Sequence, residues 1–149
     1  MKLEEAIQQK SFKSPMNKAV VNLLYTQSYI VTQQVKLFKP FGISPEQYNV
    51  LRILRGYQPD PMTVSSIQDR MLNKMSNASR LVEKLKQKGF VSRKECPNDR
   101  RQVDIHITEE GLALLDKLDN EIQQLNKKVI NLNDEEVNLL NDLLDKLRG

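Results

Sequence analysis

Hydrophobic residues recur at spacings of three and four over most of the chain, which predicts amphipathic helices with few breakers between them. Leu3, Ala6 and Ile7 suggest a short helical lead-in. Ser14-Pro15 opens a long helix, with Ser as N-cap and Pro at the first helical position. Its apolar positions Ala19, Val20, Leu23, Leu24, Ile30, Val31 and Val35 run to the break at Pro40-Phe41-Gly42. Ser44-Pro45-Glu46-Gln47 is a second start signal, with Gln47 placed to close a capping box. That helix carries Tyr48, Leu51 and Leu54 and ends at Gly56, before Pro59-Asp60-Pro61.

Two helices joined by a tight turn come next. Thr63 caps the first, which holds Val64 and Ile67 and ends near residues 71–73. The spacing predicts the second over about Lys74 to Lys88, stopped at Gly89, where a left-handed residue closes a helix well. Met75, Ala78, Leu81, Val82 and Leu85 form its apolar face, and Ser76, Asn77, Arg80 and Lys84 its polar face. This is a helix-turn-helix arrangement. The period then drops to two. Residues 90–95 alternate, Cys96-Pro97-Asn98-Asp99 turns, and Val103, Ile105 and Ile107 point inward against Gln102, Asp104 and His106 outward. Thr108-Glu109-Glu110 starts another helix, with both carboxylates at its positive end. In it Leu115, Leu118, Ile122, Leu125 and Val129 form a coiled-coil-like seam. Asn133 with Glu136 opens the last helix, which carries Val137, Leu140, Leu143, Leu144 and Leu147.

The chain of 149 residues is the length of one domain, or of one domain with a dimerisation element. Its longest unbroken apolar run is Leu112–Leu115, far short of the twenty residues of a membrane span, and Lys2, Glu4, Glu5 and Lys10 interrupt any signal-peptide pattern. A cytoplasmic location is expected. One cysteine, Cys96, excludes an internal disulfide, and with His106 it supplies too few soft ligands for a structural zinc site. No P-loop, glycine-rich cofactor loop or nucleophile–base pair occurs, so neither catalysis nor a cofactor is expected. The charge is uneven: residues 1–69 carry +3, residues 70–101 carry +7 from ten basic and three acidic groups, and residues 102–149 carry −6. A basic middle segment beside an acidic one suits a localised polyanion-binding face, although a solvated charged surface has the same composition.

The segments Ser79-Arg80-Leu81-Val82-Glu83-Lys84-Leu85, Lys88-Gly89-Phe90-Val91-Ser92-Arg93, Asn98-Asp99-Arg100-Arg101 and Ile107-Thr108-Glu109-Glu110-Gly111 carry a specific likeness. In them the sequence resembles the MarR family of bacterial transcriptional regulators; outside residues 79–111 it matches in architecture only. The resemblance implies a mainly α fold with a small β-hairpin wing, a winged helix-turn-helix over residues 44–108 set in a helical dimerisation region of residues 1–38 and 109–149. It implies a homodimer on a pseudo-palindromic operator in double-stranded DNA, with one helix in the major groove and the wing in the minor groove. Lys74, Ser76, Asn77, Ser79, Arg80, Lys84, Arg100 and Arg101 are then the DNA-binding candidates. Arg suits guanine and Asn suits adenine in the major groove. By the family pattern Asp99 orients Arg101 for the minor groove, with Arg100 on phosphate; which arginine inserts stays open.

Leu3, Ile7, Leu118, Ile122, Leu125, Val129, Leu140, Leu144 and Leu147 are the expected dimer-interface residues, because the outer helices carry more leucine than one small domain covers. By resemblance a small aromatic or anionic effector binds between frame and winged domain, where Tyr25, Tyr29 and Tyr48 are candidates; tyrosines on amphipathic helices also serve as core residues with a wet hydroxyl. Some relatives sense oxidants through a cysteine, and Cys96 sits among cations that favour a reactive thiol; an ordinary exposed thiol is the simpler reading. An effector-responsive repressor is the function these readings favour. A winged-helix protein–protein adaptor is the alternative, but it leaves Arg100 and Arg101 without a purpose.

Overall fold

The computed structural model describes residues 1–149 apart from the side chain of Arg100. The chain divides into two compact units, Met1–Pro45 and Glu46–Gly149. The first holds α1 (Leu3–Ala6), α2 (Pro15–Phe38) and a 3₁₀ turn over Lys39–Phe41. Ser14 caps α2 as the sequence predicts, its hydroxyl accepting from the Asn17 amide at 3.1 Å. Lys18 pairs with Glu4 at 2.5 Å, and that ammonium holds the Glu4 carboxyl below the usual carboxylate range.

The second unit contains α3 (Pro45–Tyr57, sharing Pro45 with the boundary), α4 (Val64–Arg70), α5 (Ala78–Gln87), the hairpin strands β1 (Val91–Cys96) and β2 (Asp99–Ile107), α6 (Glu109–Val129) and α7 (Asp134–Arg148). This is the mainly helical fold with a two-stranded wing expected from the sequence. Its core is built from Val50, Leu51 and Leu54 of α3, Ile67, Met71, Val82 and Leu85, Ile105 of the wing, and Leu115 and Leu118 of α6. Thr63, Thr108 and Asn133 cap their helices through their side chains, and Asn133 completes a capping box with Glu136.

One contact that spacing does not reveal ties the hairpin to the helices. Met62 and Ile105 exchange backbone hydrogen bonds of 3.1 and 2.8 Å, so the residue before α4's cap forms a single-residue bridge to β2. Another fixes α6. The Thr108 hydroxyl accepts from the Gly111 amide at 3.1 Å and donates to the Gly89 carbonyl at 2.7 Å, and the Phe90 carbonyl accepts from the Thr108 amide. The approach is close enough that a Cβ on Gly111 stands 2.4 Å from the Phe90 oxygen, so only glycine fits there. Gly89 itself adopts φ +82°, the left-handed conformation that lets the chain leave α5 and enter β1.

Arg55 of α3 makes a bidentate pair with Asp119 of α6, both bonds 2.9 Å, and the carboxylate raises the already high guanidinium pKa. No helix among the described residues is long and apolar enough to cross a membrane.

Candidate nucleic-acid interface

The helix expected over Lys74 to Lys88 begins instead at Ala78, with Asn77 as its N-cap. Ala78, Val82 and Leu85 face the core, which leaves Ser79, Arg80 and Lys84 exposed on the opposite side. Arg80 and Lys84 are four apart and share one face. The polar face therefore exists, but it is shorter than the periodicity suggests.

Three candidates fall outside the helix, each with a local partner. The Asn77 side-chain oxygen Oδ1 accepts from the Arg80 backbone amide at 3.1 Å. Two-point reading of adenine needs that same oxygen as acceptor, so Asn77 offers chiefly its amide N–H groups. The Ser76 hydroxyl lies 3.4 Å from Glu46 Oε2, and the Lys74 ammonium donates to the Asp69 carbonyl. Met75, placed on the apolar face by its spacing, is instead exposed.

Gln68 shapes this turn and carried no signal in the sequence. Its side-chain amide donates to the Lys74 carbonyl at 3.5 Å and its oxygen accepts from the Ala78 amide at 3.0 Å, bridging the two ends of the turn. Gln47 is buried, and its side-chain oxygen accepts from the Lys88 ammonium at 3.0 Å, which anchors the far end of α5 on α3.

The wing pairs regularly from Val91↔Ile107 to Glu95↔Val103, then jumps to Cys96↔Asp99. The register is therefore irregular between Glu95 and Cys96, and Arg101 follows in this bulged part of the wing. Asp99 Oδ1 accepts from the Arg101 backbone amide at 2.9 Å. Asp99 thus shapes the backbone at Arg101, where the family pattern suggested a side-chain pair. The Arg101 side chain is exposed; the side chain of Arg100 lies outside the described residues. Cys96 is half-buried beside them. Arg93 of β1 approaches Glu83 of α5 at 3.8 Å, linking wing and helix.

Of the expected interface leucines, Leu3 and Leu118 are covered within the single chain, so neither is available to a second copy. Ile7, Ile122, Leu125, Val129, Leu140 and Leu144 are partly covered, and Leu147 is exposed. Exposed apolar surface lies on neighbours the seam omitted: Leu139 and Leu143 on α7, and Val20 and Leu24 on α2. The tyrosines also differ. Tyr48 is buried, and burial pushes its phenol above the usual value, whereas Tyr25 and Tyr29 are exposed. No group of three or more His, Cys, Asp or Glu residues suited to a metal occurs among the described residues.

Known proteins agree with this architecture. The MarR family model matches residues 43–103. The HTH-type transcriptional regulator MhqR of Bacillus subtilis (strain 168) is 30% identical over 107 residues, covering 71% of this chain and 72% of that protein. The uncharacterized HTH-type transcriptional regulator YkoM of the same organism is 34% identical over 80 residues, covering 54% of this chain. The match spans about half of YkoM's own length (51%). Among solved structures, the MarR transcription factor from Planctomyces limnophilus aligns with a TM-score of 0.69 at 28% identity, covering 93% of this chain and 98% of that one. The chain belongs to the MarR family of winged helix-turn-helix DNA-binding regulators, a family of transcription factors and not of enzymes.

Proposed function

We infer that this protein is a sequence-specific transcriptional regulator that binds a pseudo-palindromic operator as a homodimer and acts as a repressor released by a small-molecule effector. One observation carries the reading: α5 buries its apolar side and holds Ser79, Arg80 and Lys84 in solvent, next to a wing that presents Arg101. In this arrangement α5 enters the major groove, where Arg80 reads base edges and Lys84 neutralises phosphate. Arg101 enters the minor groove, whose negative potential favours an arginine without demanding one base. The +7 charge of residues 70–101 supplies the attraction to phosphate.

The homodimer assignment, with its dimerisation region in residues 1–38 and 109–149, is supported by the leucines left exposed on α7 and the apolar residues left exposed on α2. For the effector, the exposed rings of Tyr25 and Tyr29 are better placed than the interior Tyr48. The test is fluorescence anisotropy against the DNA upstream of the protein's own gene and against a random duplex of equal length, over a salt series. The regulator reading expects preference for the upstream duplex and a log K that falls by about 0.9 per phosphate contact with log salt. Absence of binding to either duplex at low salt contradicts it.

A further inference from the structure

Two large apolar side chains stand in solvent in the turn that leads into α5: Leu72 is 88% and Met75 91% exposed. The segment is well tied down. The Leu72 amide donates to Asn49 Oδ1 and the Met75 amide to Asn73 Oδ1, both at 2.9 Å. The Ser76 amide donates to the Asn73 carbonyl at 3.0 Å, and Gln68 braces both ends of the turn. Two apolar side chains held out by a hydrogen-bonded turn forgo the burial that stabilises such residues elsewhere in the molecule.

What surrounds them selects the occupant. Arg70, Lys74, Arg80 and Lys84 are all exposed cations within the same stretch of chain, so the complementary surface is a polyanion that also offers apolar groups of methyl size. Duplex DNA has both on one face: phosphates along the backbone, and the thymine C5-methyl in the major groove. The methionine thioether is flexible and polarisable, which suits it to an apolar contact whose position shifts with the local shape of DNA.

We propose that Met75, together with Leu72, reads thymine methyl groups in the major groove, so that operator preference is set by apolar contacts from the turn as well as by the polar face of α5. The proposal rests on the DNA-binding reading above and is separable from it. A duplex enriched from a random-sequence pool by the full-length protein is remade with each thymine replaced singly by deoxyuridine, which removes only the methyl group. Binding is measured by anisotropy for the natural protein, Met75→Ala and Leu72→Ala, with thermal melting as the check on folding.

At one or two thymines, the loss of the methyl weakens the natural protein about fourfold, the effect of one buried methyl-sized group. At such a site Met75→Ala or Leu72→Ala binds the thymine and uracil duplexes equally. Uracil losses that persist in both variants, or no uracil loss at any thymine, overturn the methyl contact and leave the regulator reading standing. Failure of the natural protein to enrich any sequence overturns the regulator reading itself, and the methyl contact with it.

Discussion

Helices α5 and α7 belong to the same unit and treat their outward faces in opposite ways. α5 buries Ala78, Val82 and Leu85 and turns charge and hydroxyl into water. α7 buries no residue, and Leu139, Leu143 and Leu147 are each more than half exposed. The first helix is complete within one chain: its outward groups are well solvated, and substitutions among them are expected to leave the fold alone. The second begins on a full capping box, yet local signals of that kind contribute only about 1 kcal/mol, and a short helix in water gains most of its stability from packing. Its leucines need cover from elsewhere. On the proposed reading, the solvated basic face meets an anionic partner and the uncovered apolar face meets a second copy of the chain.

The sharpest way to break this contrast is to put a charge on the apolar helix. Leu143→Glu, present in both copies of a dimer, removes at least about 3 kcal/mol of burial. Sedimentation is expected to show self-association weakened by roughly 100-fold or more, and a melting temperature that no longer rises with protein concentration. An unchanged dimer would show that α7 is not the covering surface.

Gly111→Ala tests whether α5 owes its rigidity to the joint behind it. The added Cβ has to push back the Phe90 backbone carbonyl, so about 2 kcal/mol of destabilisation is expected in chemical denaturation. A neutral substitution would show that the joint gives way easily. Asn77 sharpens the contrast from the other side, because it caps α5 and is also one of the groups proposed to face DNA. Asn77→Ala should cost about 1 kcal/mol of stability, whereas Asn77→Ser keeps the cap and removes only the amide N–H groups. If the amide contacts bases, Asn77→Ser lowers operator affinity with little change in melting; equal behaviour of the two variants in binding and melting contradicts that division.

The smallest expected effect lies in the first unit. The Glu4 carboxyl is held below its usual pKa by Lys18, so the folded state favours the ionised form. That contribution is present above the ordinary carboxylate range and is lost as pH falls through the lowered value. Glu4→Gln should abolish a small acid-side loss of stability in a pH-resolved melting series, and an identical profile for the variant would remove the pair from the account.

Much of the scaffold was legible because its signals are local. Ser14, Thr63, Thr108 and the Asn133–Glu136 box act within three residues, and the change of period at Phe90 marks the wing without tertiary information. The start of α5 was misplaced because apolar spacing continues back through Met75 although the backbone is not yet helical there. Distinguishing the two requires the Gln68 bridge, whose partners Lys74 and Ala78 are six and ten residues away. The Arg55–Asp119 fork joins residues 64 apart, and Gly111 is constrained by the Phe90 carbonyl in the link between α5 and β1. Leu118 fits a repeating seam equally well whether a core or a partner covers it, and burial alone assigns it to the core. Residues 79–111 identify the family, but the resemblance did not reveal that Asp99 works through the Arg101 backbone amide or that Asn77's oxygen is already engaged.

On the proposed reading, the outward face of α5 reads DNA sequence while its inward face supports the fold. Arg80→Ala isolates it, because the Arg80 side chain is exposed and the cap contact uses only its backbone amide. Affinity for an enriched duplex and for a random duplex of equal length, measured beside the melting temperature, gives a direct answer. A loss of about 1–3 kcal/mol on the enriched duplex, with a much smaller loss on random DNA and unchanged melting, is the predicted result. Equal losses on both duplexes, or no loss on either, would contradict it.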